Sequence, residues 1–207
     1  MTAGQSASEV TKAQRRPRGA VRDGLVAAGL ALARTGGPDA VVLREATQMV
    51  GVVPNAAYRH FAGRDELLAA VAAAAMRELA ARMAAGVARV RGKYGDPAAA
   101  RRRLRAIGKA YLEFAAEEPG LFVTAFALPH QHAYDAPGGG TGPDPLPLDQ
   151  LRAVPVEHAR VGIEYPIWST VHGLAVLTGQ GPLREFPDAT RRHLEKLTLA
   201  FIGEAVG

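Results

Sequence analysis

Leucine, alanine and valine recur at helical spacing along most of this chain, and this periodicity limits the possible folds more than any other feature. Between residues 19 and 34, for example, the apolar residues that would share one helix face are Val21, Leu25, Ala28 and Leu32. No run of alternating apolar and polar residues bounded by turn residues indicates a strand. The sequence therefore predicts an all-α protein with a sizeable core.

Caps and helix breakers place the boundaries of the predicted helices. Gly36, Gly37 and Pro38 end the first helix, and Asp96 with Pro97 forms a cap and first-turn proline for a later one. Pro155 interrupts one helical pattern, and nine of the 19 residues from 129 to 147 are Pro or Gly, which indicates a loop. The predicted helices span about residues 19–34, 43–50, 54–61, 64–90, 97–118, 121–128, 148–161, 166–179 and 188–206.

Composition restricts the class of protein. Hydrophobic residues make up 48% and charged residues 22% of the 207 residues, as in globular domains, and the absence of cysteine excludes disulfides and thiolate sites. The basic N-terminus is not followed by an apolar stretch, and residues 165–183 are too polar and too interrupted for a bilayer helix. We expect a soluble cytoplasmic protein with no membrane partner.

The positive charge of the chain is concentrated near its N-terminus. Residues 1–64 contain nine Lys or Arg and four Asp or Glu, which accounts for the whole net charge of +5. Such a basic module on a neutral body is typical of a nucleic-acid-binding head, although a solvated charged surface has the same composition. We predict a flexible basic arm over residues 1–16, a DNA-binding domain over 17–63 and a larger helical domain over 64–207.

A short helix, a glycine turn and a second short helix between residues 43 and 61 form a helix-turn-helix pattern. The segment LREATQMVGVVPNAAYRHFAGRDELL, residues 43–68, resembles the helix-turn-helix of the TetR/AcrR family of bacterial transcriptional regulators. The motif WSTVHG, with Trp168, His172 and Gly173, is similar to the Trp-His-Gly pattern of one class of C-terminal domain in that family, and residues 112–122 also resemble this class. The resemblance covers the chain from about residue 19 to its end.

The sequence departs from the family pattern inside the motif. Val42 and Val53 stand where the family usually has Ser or Thr, and neither side chain can accept a capping hydrogen bond, a loss of about 1 kcal/mol per cap. Thr47 and Val50 replace small alanines and are expected to push the two helices apart, whereas Ala57 replaces a common leucine and makes room. We still expect DNA binding, and these changes leave weak or unusually selective binding as the alternative.

The resemblance implies that the second helix of the motif enters the major groove of double-stranded DNA. Asn55 and Ala56 lie at its exposed start, and asparagine can make a bidentate contact to adenine; the alternative is that Asn55 only faces solvent. Phe61 is assigned to the core. The residues that we expect to contact phosphates, which fix register without reading sequence, are Arg44, Tyr58, His60 and Arg64. Arg15, Arg16 and Arg18 form either an arm along the duplex or a disordered basic tail.

The larger domain is expected to bind a ligand and to dimerise. Apolar residues of the last helix form a stripe that a two-fold partner would bury, namely Leu194, Leu197 and Phe201. An apolar pocket for a small-molecule effector is predicted from aromatic residues that are otherwise core, namely Tyr111, Phe114, Phe122, Phe126, Trp168 and His172. For Trp168 and His172, four residues apart on one helix face, a buried structural pair is the alternative.

Patterns that suggest catalysis are weak. His130 and His132 form an H-x-H pair in the Pro/Gly loop without a third ligand, Gly138–Gly140 lacks the lysine of a phosphate loop, and no G-x-S-x-G elbow is present. We therefore expect no enzyme, no metal and no cofactor. The sequence favours a ligand-responsive regulator, usually a repressor in the family, that binds a near-palindromic operator as a homodimer. The alternative is a helical small-molecule carrier or interaction protein with a degenerate helix-turn-helix.

Overall fold

The computed structural model describes residues 19–93, 95–127 and 162–205, and within these ranges all regular structure is helical. Its α-helices are α1 (Ala20–Gly36), α2 (Leu43–Val50), α3 (Pro54–Ala57), α4 (Arg64–Ala88), α5 (Pro97–Glu117), α6 (Pro119–Ala125), α7 (Glu164–Gly179) and α8 (Asp188–Glu204). The all-α prediction is confirmed. The predicted arm (1–16), the Pro/Gly loop (129–147), its histidines and the predicted helix over 148–161 lie outside the described residues.

Local sequence explains most helix ends. α1 ends where predicted, at the Gly36-Gly37-Pro38 sequence, because Gly37 adopts a φ of +65° that an L side chain would resist. Pro38 then lies in a single 3-10 turn, Gly37–Ala40, which the sequence did not predict. The Asp96 side chain accepts a hydrogen bond from the Ala98 N–H at 3.0 Å and caps α5 as expected.

The predicted second helix of the motif, residues 54–61, is longer than the helix in the structure. α3 stops at Ala57, and residues 58–60 form a turn. The backbone N–H of His60 donates to the Ala57 carbonyl at 2.8 Å, an i→i−3 bond that tightens the chain. The same carbonyl accepts from Phe61 at 2.9 Å, and the Phe61 side chain is only 1% exposed. Burial of Phe61 thus accompanies the early end of the regular helix.

One core runs through the N-terminal helices and the larger domain. Leu25 of α1 and Phe61 belong to the same cluster of buried residues as Leu67 at the start of α4 and Met83 near its end. α4 packs against α1, α5 and α6, and α5 packs against α7 and α8. α4 therefore connects the head, formed by α1, α2 and α3, to the body, formed by the helices that follow.

A close contact joins head and body at the start of α6. A β-carbon on Gly120 would lie 2.2 Å from the Ala33 carbonyl oxygen of α1, so only glycine fits there without displacement. Beside this contact, the Arg34 guanidinium forms ion pairs with Glu78 at 2.8 Å and with Glu118 at 3.3 Å. Arg34 thereby links α1 to α4 and to the residue between α5 and α6.

Candidate functional site

The helix-turn-helix has the turn that its sequence predicts. Gly51 adopts the left-handed conformation, with φ +70° and ψ 39°, and ends α2. The Val52 N–H donates to the Thr47 carbonyl at 3.1 Å, and Val53 continues in extended conformation into Pro54. The turn therefore sets α3 against α2 through backbone geometry that glycine permits.

The predicted absence of side-chain caps at the motif is also seen. Val42 and Val53 are the N-cap residues of α2 and α3, and neither helix start has a side-chain capping hydrogen bond. Thr47 is 2% exposed, and its hydroxyl donates to the Arg44 carbonyl at 2.6 Å, so its polar atom is satisfied. Val50 faces Gly24 of α1, where a β-carbon would lie 3.3 Å from Val50 Cγ1, so Gly24 provides its space.

The predicted DNA-binding residues lie on and around α2 and α3. Asn55, Tyr58 and Arg44 are exposed, whereas Ala56 and His60 are half-buried. None of these positions is buried in the core, so all of them stay available to an approaching partner. This arrangement leaves a base contact by Asn55 sterically open and keeps the expected phosphate contacts a prediction.

Arg64 has a structural partner that the sequence did not reveal. Its guanidinium donates to the Pro38 carbonyl of the 3-10 turn at 2.7 Å and lies 3.7 Å from an Asp39 carboxylate oxygen. This contact ties the start of α4 to the turn after α1. Because a guanidinium has five N–H donors, the bond to Pro38 leaves others for a phosphate.

Two apolar residues of the head were missed as candidate contacts. Val53 is 68% exposed and Met49 is 56% exposed, although both are large hydrophobic residues. Apolar side chains of this kind can contact the thymine methyl group in the major groove. The signal for Val53 was present in the sequence, because this residue stands at a capping position immediately before Pro54 and the helix that carries Asn55.

Five of the six predicted pocket residues form one aromatic cluster in the body, made up of Tyr111, Phe122, Phe126, Trp168 and His172. The His172 ring centroid lies 4.7 Å from that of Phe126 and 5.6 Å from those of Phe122 and Trp168. Two hydrogen bonds connect the polar members: the Trp168 indole donates to the Tyr111 hydroxyl at 3.2 Å, and that hydroxyl lies 2.7 Å from His172 Nδ1. Burial lowers the pKa of His172 below its ordinary value.

A cavity of about 180 Å³ adjoins this cluster between α6 and α7. Three of the predicted residues line it, namely Phe122, Phe126 and His172. Tyr111 and Trp168 stand behind His172, outside the residues that line the cavity. Phe114 also lies outside the cavity, contrary to the prediction. Its side chain is fully buried, and the Arg82 guanidinium lies over its ring at 5.1 Å from the centroid, because the position of Phe114 on α5 turns it toward α4.

A larger open groove of about 660 Å³ lies next to the cavity, and the two share several lining residues. Arg184, Arg191 and Arg192 are among the residues that line it, and no sequence motif marks them. Arg191 bonds to Asp188, and this hydrogen bond, with the positive charge of Arg191, lowers the pKa of the Asp188 carboxyl. The groove therefore combines an apolar floor with a charged edge.

The predicted dimer stripe is exposed in the single chain. Leu197 is 53% exposed and Phe201 is 64% exposed on α8, whereas Leu194 is half-buried. On α7, Val176 and Leu177 are also exposed. Apolar residues on both C-terminal helices thus face away from the core.

Two further kinds of feature are absent from the described part of the chain. No helix there is long and apolar enough to cross a lipid bilayer. Within the same ranges, no three His, Asp or Glu side chains are grouped so that they could hold a metal ion.

The C-terminal part of the chain matches a known domain family. The model of the tetracyclin repressor-like C-terminal domain matches residues 104–201, which include the aromatic cluster, α7 and most of α8. No curated protein matches the chain in sequence.

Solved structures resemble the chain over most of its length. A protein with unknown function from Rhodococcus sp. RHA1 has 22% sequence identity, covers 93% of this chain and 98% of its own, and gives a TM-score of 0.64. A TetR-family regulator from Streptomyces coelicolor A3 has 19% identity over 91% of this chain and 98% of its own, with a TM-score of 0.48. The first of these likenesses shows a shared fold. Residues 104–201 thus match a tetracyclin repressor-like C-terminal domain, and they follow a helix-turn-helix head.

Proposed function

We propose that this protein is a TetR-family transcriptional regulator, a repressor that binds a near-palindromic DNA operator as a homodimer and is released by a small, mostly apolar effector. One observation carries the proposal most directly. The helix-turn-helix presents Asn55 and Tyr58 to solvent on the part of the chain that holds its excess positive charge. An exposed asparagine at the start of the second motif helix suits adenine recognition in the major groove.

The homodimer in this proposal is supported by the exposed apolar side chains on α7 and α8. A solvent-facing stripe that contains Leu197 and Phe201 is unfavourable in a monomer, and two helices from each subunit would bury it in a four-helix interface. Gly173 lies on α7, and a β-carbon there would meet nothing within 4 Å, so this position can accept a close neighbouring helix. Two heads would then face successive turns of the major groove.

The effector part of the proposal is supported by the cavity beside His172 and by its link to the head. The cavity is lined by Pro119 at the start of α6, and the adjacent Gly120 touches the Ala33 carbonyl of α1. A ligand that favours one position of α6 would therefore favour one position of the head, and the coupling between ligand and DNA must be reciprocal.

The experiment is a binding titration by fluorescence anisotropy with DNA from upstream of the gene and with random DNA of the same length. Asn55→Ala should cost about 1–3 kcal/mol per half-site on the specific DNA and leave random-sequence binding nearly unchanged. Arg44→Ala should weaken binding to both the specific and the random DNA. It should also reduce the dependence of affinity on salt concentration, since it removes a phosphate contact. If Asn55→Ala lowers both affinities by the same factor, Asn55 reads no base.

A second candidate is favoured by the uncapped starts of α2 and α3. Val42 and Val53 give neither helix a side-chain cap, which is consistent with a head that has lost DNA binding in a small-molecule carrier. Retained ligand binding together with equal, weak affinity for all DNA sequences would support this alternative over the regulator.

A further inference from the structure

The two hydrogen bonds of the aromatic cluster have a direction that bears on ligand recognition. An indole N–H can only donate, so the Tyr111 oxygen accepts from Trp168 at 3.2 Å. The Tyr111 hydroxyl proton can then be given to His172 Nδ1, which lies 2.7 Å away, well within the range of a good hydrogen bond. When Nδ1 is the acceptor, the order Trp168 to Tyr111 to His172 runs from donor to acceptor at each step.

The His172 imidazole contacts Tyr111 through Nδ1, so its second nitrogen, Nε2, is left for another partner. Burial disfavours its charged form and lowers the pKa of His172, so the ring is neutral near pH 7 and carries a single N–H. When Nδ1 accepts from Tyr111, that proton is on Nε2. Within the described residues, Nε2 makes no hydrogen bond, and Tyr111 does not line the cavity whereas His172 does.

We propose that the Nε2–H of His172 is the polar recognition group of the cavity, fixed as a donor by Tyr111 and Trp168, and that the cavity takes an uncharged, mostly apolar molecule with one hydrogen-bond acceptor, such as a ketone or an ester. This inference rests on the proposed effector site and specifies its ligand class. It also gives the tryptophan and histidine of the WSTVHG motif a shared role, since one orients the other through Tyr111.

The remaining lining of the cavity sets the size and polarity of the ligand. Phe122, Val123, Phe126 and Val176 provide apolar walls, the exposed Gln180 is a second polar side chain beside His172, and no charged side chain is among the described residues that line the cavity. Its volume of about 180 Å³ is slightly larger than the roughly 150 Å³ that holds a benzene-sized molecule. A carboxylate would enter this space without a cationic partner, which disfavours anionic ligands.

The first test measures the tautomer of His172 in the wild-type protein. Nitrogen-15 NMR of the histidine-labelled full chain above pH 7 should show, for His172, a protonated Nε2 and an unprotonated Nδ1; the signal is assigned by its loss in His172→Gln. Tyr111→Phe removes the donor to Nδ1 and should shift the ring toward a mixture of tautomers. An Nδ1–H tautomer in the wild type, or no change in Tyr111→Phe, would overturn the proposal.

The second test uses two probes of equal heavy-atom count, acetophenone and isopropylbenzene, measured by calorimetry. The preference for the ketone should fall by about five- to tenfold in His172→Phe, which keeps a ring but removes the donor, as expected for one buried hydrogen bond. His172→Gln, whose amide N–H can replace Nε2–H, should retain most of it. An unchanged preference in His172→Phe, or no binding of either probe to the wild type, would overturn the proposal.

Operator binding is measured separately with the same variants. If the ketone preference is found but no DNA is bound selectively, the proposed function fails while the ligand inference stands. If DNA is bound selectively and the preference for the ketone is absent, the proposed regulatory function is retained and the ligand inference fails.

Discussion

Gly120→Ala should destabilise the protein by separating head and body at their closest contact. The new β-carbon would lie 2.2 Å from the Ala33 carbonyl oxygen and 2.8 Å from that of Arg34, and both obstacles are backbone atoms that cannot rotate away. Relief requires α6 to move by about 1 Å, a gap that forfeits a quarter to a half of the local dispersion contact. Overpacking costs about 1–3 kcal/mol, and this site belongs near the upper end of that range because the clash is with backbone.

Helix propensity opposes part of this loss, since alanine gains about 0.5–1 kcal/mol over glycine inside a helix. The expected net loss in the free energy of unfolding is therefore about 2 kcal/mol. With a urea m-value of about 2 kcal/mol/M, the unfolding midpoint should fall by about 1 M. The midpoint is followed by circular dichroism at one fixed protein concentration, because dimer formation would make stability depend on concentration.

Gly179→Ala is the matched control. Gly179 ends α7, and a β-carbon there would meet nothing within 4 Å. The unfolding midpoint of the Gly179→Ala variant should therefore stay near that of the wild type. A Gly120→Ala midpoint at or above the wild-type value, with the control unchanged, would show that α1 and α6 are not held in the close contact described here.

Two further predictions concern the oligomer and the dependence of stability on pH. Leu197→Glu should convert a dimer into monomers in sedimentation experiments, whereas Lys196→Gln, about 100° around α8, should not; a dimeric Leu197→Glu protein would contradict the interface. Because burial lowers the pKa of His172, the unfolded state binds more protons as pH falls below about 6.5, so the free energy of unfolding should decrease from that pH downward. His172→Phe should flatten this decrease in urea titrations, and an equally steep decrease in the variant would show that other groups cause it.

The sequence predicts those parts of the fold that depend on local pattern. Leu25 follows from helical periodicity, and the left-handed Gly51 follows from a single residue type placed between two helical segments. The buried position of Phe61 follows from its place in the motif. Such features need only neighbours along the chain, so they can be deduced without coordinates.

Contacts between distant parts of the chain were not predictable in this way. The bond from Arg64 to the Pro38 carbonyl joins residues 26 positions apart, and the contact between Tyr111 and His172 spans 61 positions. Phe114 carries no signal to distinguish it from its neighbours on α5; only the position of α4 decides that it packs under Arg82. Pairing of this kind depends on how helices are arranged in space, which a single sequence does not report.

Trp168 is the only tryptophan in the chain, and this has a practical consequence. Its indole ring centroid lies 5.6 Å from that of His172, and its N–H is bonded to Tyr111, so the single strong intrinsic fluorophore stands one side chain behind the cavity wall. Indole emission responds to the polarity and hydrogen bonding around the ring. Candidate molecules that do not themselves absorb in the same range can thus be screened optically on the unlabelled protein, with each emission change assigned to one known place in the fold.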